Sequence, residues 1–149
     1  MRLIMCEQQD LESPEVKISY QEMTEEVKRV AGFVRSVSQT ICCKKDNEKY
    51  VIPVSDIYYV ESVDKKTFVY CEEEIFQSNY RLYEIEELLS DSGFVRVSKA
   101  TILNIEKLTG IKTMVNSRLE AMLSNGESVC VTRKYLKEIK EALLRRNGR

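Results

Sequence analysis

The stretch IYYVESVDKKTFVYCE, residues 57–72, decides the reading of the fold. Two extended runs, Ile57–Val63 and Thr67–Glu72, flank Asp64-Lys65-Lys66, so β-branched and aromatic residues stop at a polar tip and then resume. That pattern is a hairpin, and its tip carries two lysines. Working outward, Thr40–Lys44 and Tyr50–Val54 flank Lys45-Asp46-Asn47 as a second hairpin. Downstream, Leu82, Ile85, Leu88 and Leu89 mark a short amphipathic helix stopped before Gly93, after which Phe94–Val97 is extended again. Between Leu108 and Thr132 three strands follow, turned at Asn116-Ser117 and at Asn125-Gly126, the latter a strong hairpin signal. The chain closes with a helix from about Arg133 to Arg146 whose Tyr135, Leu136, Ile139 and Leu143 share one face. The expected fold is mainly β, with antiparallel connections and short peripheral helices.

Ahead of the first hairpin the pattern is different. Leu3–Glu7 and Val16–Tyr20 read as short strands; in the second, Val16, Ile18 and Tyr20 alternate with Lys17 and Ser19. Thr24 then stands where an N-cap would, with Glu25 and Glu26 in the first turn, and Val27, Val30, Ala31 and Val34 form one apolar helical stripe. The expected division is a strand-helix extension over residues 1–39, serving docking or dimerisation, and a β-rich domain over 40–149. The stripe either closes the domain's own core, the commoner use of such a face, or meets a partner.

Composition narrows the chemistry. The 149 residues contain no His and no Trp. Without His there is no Ser-His-Asp, Cys-His or His-metal site, so the chain is not expected to be an enzyme and no cofactor or metal is implied. Five cysteines, at 6, 42, 43, 71 and 130, lack the C-x-x-C spacing of a zinc site and fit reduced thiols. No apolar run approaches the ~18 residues of a membrane span, which suggests a cytoplasmic protein.

The net charge of −1 conceals a segregated distribution. Residues 1–46 carry seven basic and eight acidic side chains, 47–92 four and eleven, and 93–149 twelve and five. The last third therefore attracts a polyanion. Three basic clusters interrupt the β pattern: Asp64-Lys65-Lys66-Thr67, Arg96-Val97-Ser98-Lys99 and Thr132-Arg133-Lys134. Loop-borne Lys and Arg can reach base edges, while Ser98 and Thr132 hydroxyls and backbone amides can hold phosphates. Any one cluster alone is an ordinary solvated turn.

Residues 53–62, PVSDIYYVES, 94–105, FVRVSKATILNI, and 128–139, SVCVTRKYLKEI, resemble successive signatures of the LytTR family of bacterial DNA-binding domains. The resemblance spans about residues 40–146, and its specificity comes from the order and spacing of the three segments. It implies a transcriptional regulator whose antiparallel sheets lay loops, not a recognition helix, into successive major grooves of promoter direct repeats, bending the duplex. Carried across, the family's base-contacting positions fall on Lys66 or Thr67, on Lys99, and on Arg133 or Lys134. Lys65 stands beside the first; Arg96 either assists or is structural. This chain has no His at the first site and Lys in place of Asn at the second. Asn pairs with adenine, whereas Lys donates to guanine O6 and N7 or to phosphate, so the family's operator does not carry over.

The resemblance further implies double-stranded promoter DNA as partner and self-association on paired half-sites. Forty residues ahead of the domain are too few for a receiver domain, so a stand-alone regulator is expected. Similar stand-alone systems hold the regulator in check with a small membrane protein. The rival reading is a protein-interaction module whose basic C-terminal third docks onto an acidic partner. Glu72-Glu73-Glu74, read on a strand end, and Cys42-Cys43 invite metal or redox readings, but adjacent strand residues face apart.

Overall fold

Asp46 and Asn47 sit at φ +53° and +65°, and Asp64 and Lys65 at +51° and +65°. Two consecutive left-handed residues make a type I′ turn, the connection whose twist matches that of antiparallel strands. The computed structural model describes residues 1–146, and these turns set the register of its first two hairpins. The first joins β1 (Thr40–Lys45) to β2 (Glu48–Pro53), and the second β3 (Tyr59–Val63) to β4 (Lys66–Tyr70). Each tip is thus two residues long. Lys45 and Lys66 belong to strands, not to turns.

Two strands were not anticipated: β5 (Ile75–Ser78), paired to β4, and β7 (Thr101–Asn104), paired to β6 (Phe94–Ser98). With α2 (Leu82–Leu89) between β5 and β6, they complete a seven-stranded sheet ordered β2-β1-β5-β4-β3-β7-β6. Strands β8 (Leu108–Thr113), β9 (Leu119–Leu123) and β10 (Ser128–Val131) form a second, three-stranded sheet, followed by α3 (Leu136–Arg146). Every pairing is antiparallel. Glu72-Glu73-Glu74 falls on the β4–β5 turn rather than on a strand, where Glu74 meets Lys45 at 3.7 Å.

The large sheet separates two cores. On one face Ile41, Ile52, Val60, Val69, Phe76 and Ile102 pack against Leu82, Ile85 and Leu89 of α2. On the other, Tyr59, Val97 and Leu103 pack against Leu119, Ala121, Val129 and Val131 of the small sheet and Ile139 and Ala142 of α3. Tyr59 stacks on Tyr70 at 4.2 Å between ring centres and donates to Glu127 at 3.1 Å, tying the sheets. Burial, together with Glu127, pushes the Tyr59 hydroxyl pKa upward, so it remains a donor.

The N-terminal expectation is half right. Thr24 caps α1 (Glu25–Ser38), accepting from the Val27 amide at 3.3 Å. The predicted strands at 3–7 and 16–20 do not form. Strand pairing needs a partner strand, and no hydrogen bond joins residues 1–23 to the rest of the described chain. The helix itself packs on its own domain: Gly32 and Ser36 are buried, and a Cβ at Gly32 would lie 3.3 Å from the Asp91 carbonyl oxygen. Arg29 grips Glu106 with two bonds of 3.0 and 3.3 Å, a partner for Glu106 that the sequence did not reveal. The Val27–Val34 stripe is half-buried, leaving Phe33 and Val37 outward.

Cys42 is exposed and Cys43 buried, as alternation requires. Burial pushes the Cys43 thiol up to about 12 and Cys71 up to about 11, so both stay protonated and unreactive. Among the described residues no helix is long and apolar enough to cross a membrane.

Candidate nucleic-acid interface

The strand directions bring the three basic clusters to one end of the fold. Glu61 of β3 lies opposite Thr101 of β7, so the β3–β4 turn and the β6–β7 turn leave the sheet on the same side. The Ser62 amide then donates to the Ala100 carbonyl at 2.8 Å, fastening the root of the first turn to the second. The Thr132 amide donates to the Val97 carbonyl at 2.9 Å, fastening the residue after β10 to the same strand β6. Three loops distant in sequence thus share backbone bonds, and their relative positions are those of a sheet.

Within the first cluster Lys65 and Lys66 are exposed, whereas Thr67 is 4% exposed, between Ser62 on β3 and Ser78 on β5. The strand period turns Thr67 inward, so of the pair Lys66 and Thr67 only Lys66 faces outward. Lys65 holds a left-handed conformation that costs a side-chain-bearing residue about 1 kcal/mol. Replacing Lys65 by Gly should therefore raise stability by about 0.5–1 kcal/mol in urea titration, leaving the hairpin intact.

In the second cluster Lys99 is exposed at the tip while Arg96 is turned back under it. Arg96 Nε donates to the Ser98 carbonyl at 2.9 Å, Nη2 donates to the Lys99 carbonyl, and Nη1 meets Glu86 of α2 at 3.3 Å. The Ser98 hydroxyl accepts from the Ala100 amide at 3.3 Å. Arg96 and Ser98 therefore shape the turn that carries Lys99, and the guanidinium is already occupied. Arg96→Ala should cost about 1–3 kcal/mol of stability by releasing both carbonyls and the ion pair. Urea titration of the variant checks that value.

In the third cluster Thr132, Arg133 and Lys134 are all exposed at the 3-10 turn Arg133–Tyr135 that precedes α3. Arg133 Nη2 donates to the Ser117 carbonyl at 3.0 Å, drawing the β8–β9 turn alongside. The Asn116-Ser117 signal marks that turn in the sequence but does not place it beside Arg133. Lys134 Nζ lies 5.4 Å from the Tyr135 ring centre. Among the described residues Lys65, Lys66, Lys99 and Lys134 pair with no carboxylate. Their charge is available to an incoming anion.

A basic edge built of sheet-anchored turns defines a class of β-loop nucleic-acid-binding domains. The comparisons agree. The LytTr DNA-binding domain family model matches residues 47–144, and the chain belongs to the LytTR family. It is similar to the LytTr DNA-binding domain of a Bacillus cereus response regulator, with TM-score 0.64 and 30% identity, covering 70% of this chain and 95% of that one. Among curated proteins it is 29% identical over 106 residues to the sensory transduction protein LytT of Enterococcus faecalis, covering 71% of this chain and 44% of that protein. Against an uncharacterized HTH-type transcriptional regulator of Staphylococcus aureus NCTC 8325 it is 28% identical, covering 86% of this chain and 88% of the other. The chain spans about half the length of the LytT relatives it matches.

Proposed function

We propose that this chain is a transcriptional regulator that seats the β3–β4, β6–β7 and post-β10 turns in successive major grooves at promoter direct repeats. The observation that carries this reading is the fastening of three exposed, unpaired lysine-bearing turns to one sheet end by the Ser62–Ala100 and Thr132–Val97 bonds. Lys66, Lys99 and Lys134 are the base-edge candidates, with Arg133, Lys65 and Thr132 on adjacent phosphates. Residues 40–149 act as the DNA-binding domain, of which 147–149 lie outside the described residues, and 1–39 as its extension. Two copies would occupy paired half-sites. The outward face of α1, with Phe33 and Val37, is the docking place for a small membrane-protein inhibitor of the kind the resemblance implies.

Fluorescence anisotropy of a labelled duplex bearing two LytTR-type repeats, against a scrambled duplex of equal composition, tests this at two salt concentrations. The expected result is tighter binding to the repeats by about 10³ or more, with log K falling steeply in log salt, about −0.9 per neutralised phosphate. Equal, weak and salt-abolished binding to both would remove the sequence-specific reading. It would leave the basic third as a surface for an acidic protein partner.

A further inference from the structure

Two parts of this molecule lack backbone partners of their own. The first is the arm, residues 1–23, in which residues 1–17 are all exposed and no residue bonds to the rest of the described chain. Its segment Val16–Tyr20 keeps the alternation of a strand, yet Val16 is 64% and Tyr20 52% exposed. The second is β2, the terminal strand of the large sheet. Lys45 and Glu48 flank the type I′ turn and exchange both bonds of that pair, so Tyr50 and Ile52 bond inward to β1 while Lys49 and Val51 point their N–H and C=O groups outward. That edge is open until Pro53.

The apolar pattern matches across these two parts. A strand added from Glu15 to Tyr20 puts Glu15 and Lys17 on one face, and Val16, Ile18 and Tyr20 on the other. With Ile18 opposite the half-exposed Tyr50 ring in an antiparallel pairing, Val16 falls opposite Ile52, so the arm's apolar residues continue the face that β2 turns to the core. Twenty-three extended residues span up to about 75 Å, so reach does not limit the exchange.

We infer that Val16–Tyr20 of one copy adds as a strand to the β2 edge of a second copy, giving a reciprocal arm-exchanged dimer that forms without DNA. The arm stands off its own chain, which favours the second copy over closure on itself. Reciprocal donation closes the assembly at two and consumes both open edges.

Sedimentation velocity of the full chain and of two variants tests this. Val51→Pro deletes an outward N–H without touching the bonds to β1, and Ile18→Pro disables the donor strand in a segment with no hydrogen bond to the rest of the described chain. The wild type is expected to sediment as a concentration-dependent dimer, with either variant shifted to monomer, its circular dichroism that of a folded domain and its Tm independent of concentration. A wild type that stays monomeric at every concentration overturns the inference. So does a dimer that survives both substitutions, or a monomer whose Lys49 and Val51 amides are protected from hydrogen exchange, since its own arm would then cover the edge.

Discussion

Replacing Lys99 by alanine should weaken binding to the preferred operator by about 1–3 kcal/mol, roughly 5- to 150-fold in Kd, while the scrambled duplex loses little. The expectation rests on position. Lys99 is the exposed tip of a turn in which Arg96 donates to the Ser98 and Lys99 carbonyls, the Ser98 hydroxyl accepts from the Ala100 amide, and the Ala100 carbonyl accepts from the Ser62 amide. Truncating it therefore removes a cation and leaves the turn standing. Anisotropy on the two duplexes separates the roles. A loss of equal size on both would reassign Lys99 to phosphate, and Lys99→Asn would then fail to move the base preference toward adenine.

A larger effect is expected in stability. Leu103→Ala should destabilise the fold by about 2–5 kcal/mol, read as a lower urea midpoint with an unchanged slope. Leu103 is fully buried, opposite Tyr59 and Val95, and packs where the large sheet meets the small one. Its removal leaves a cavity between layers that α3 and β9 cannot both move to fill. Ile102, its neighbour, points into the other core, so the two cores share one strand.

The parts of the fold that the sequence revealed were those with local chemistry. Asp46-Asn47, Asp64-Lys65 and Gly126 mark turns because their own backbones adopt positive φ at little or moderate cost. Thr24 and the carboxylates after it marked the start of α1 for the same reason. By contrast Thr101–Asn104 is buried on both faces, so it shows no alternation to read. Ile75–Ser78 is four residues long and follows three glutamates, which masked it. Val16–Tyr20 has a strand's pattern and no strand's partner among the described residues. Pattern states a preference, and pairing needs a second strand.

The site was legible as three clusters but not residue by residue. Counting charges found Lys65, Lys66, Lys99, Arg133 and Lys134, all of which stand exposed. It also gathered Thr67 and Arg96. Thr67 is turned inward by the strand period, and Arg96 is claimed by the carbonyls of its own turn and by Glu86 of α2. The contact with Glu86 joins residues from separate elements, which no spacing rule anticipates.

The pairing of β3 with β7 also bears on the order in which this molecule assembles. Most of its strand pairs are hairpins between neighbours in sequence, which close quickly because little loop entropy is lost. Tyr59 and Leu103, 44 positions apart, must meet across an intervening hairpin and α2. That long closure is the costly one, and it is also the step that sets the β3–β4 turn beside the β6–β7 turn. A chain caught midway through folding would own each lysine-tipped hairpin separately and have no common face to present, so the binding edge is among the last features to exist.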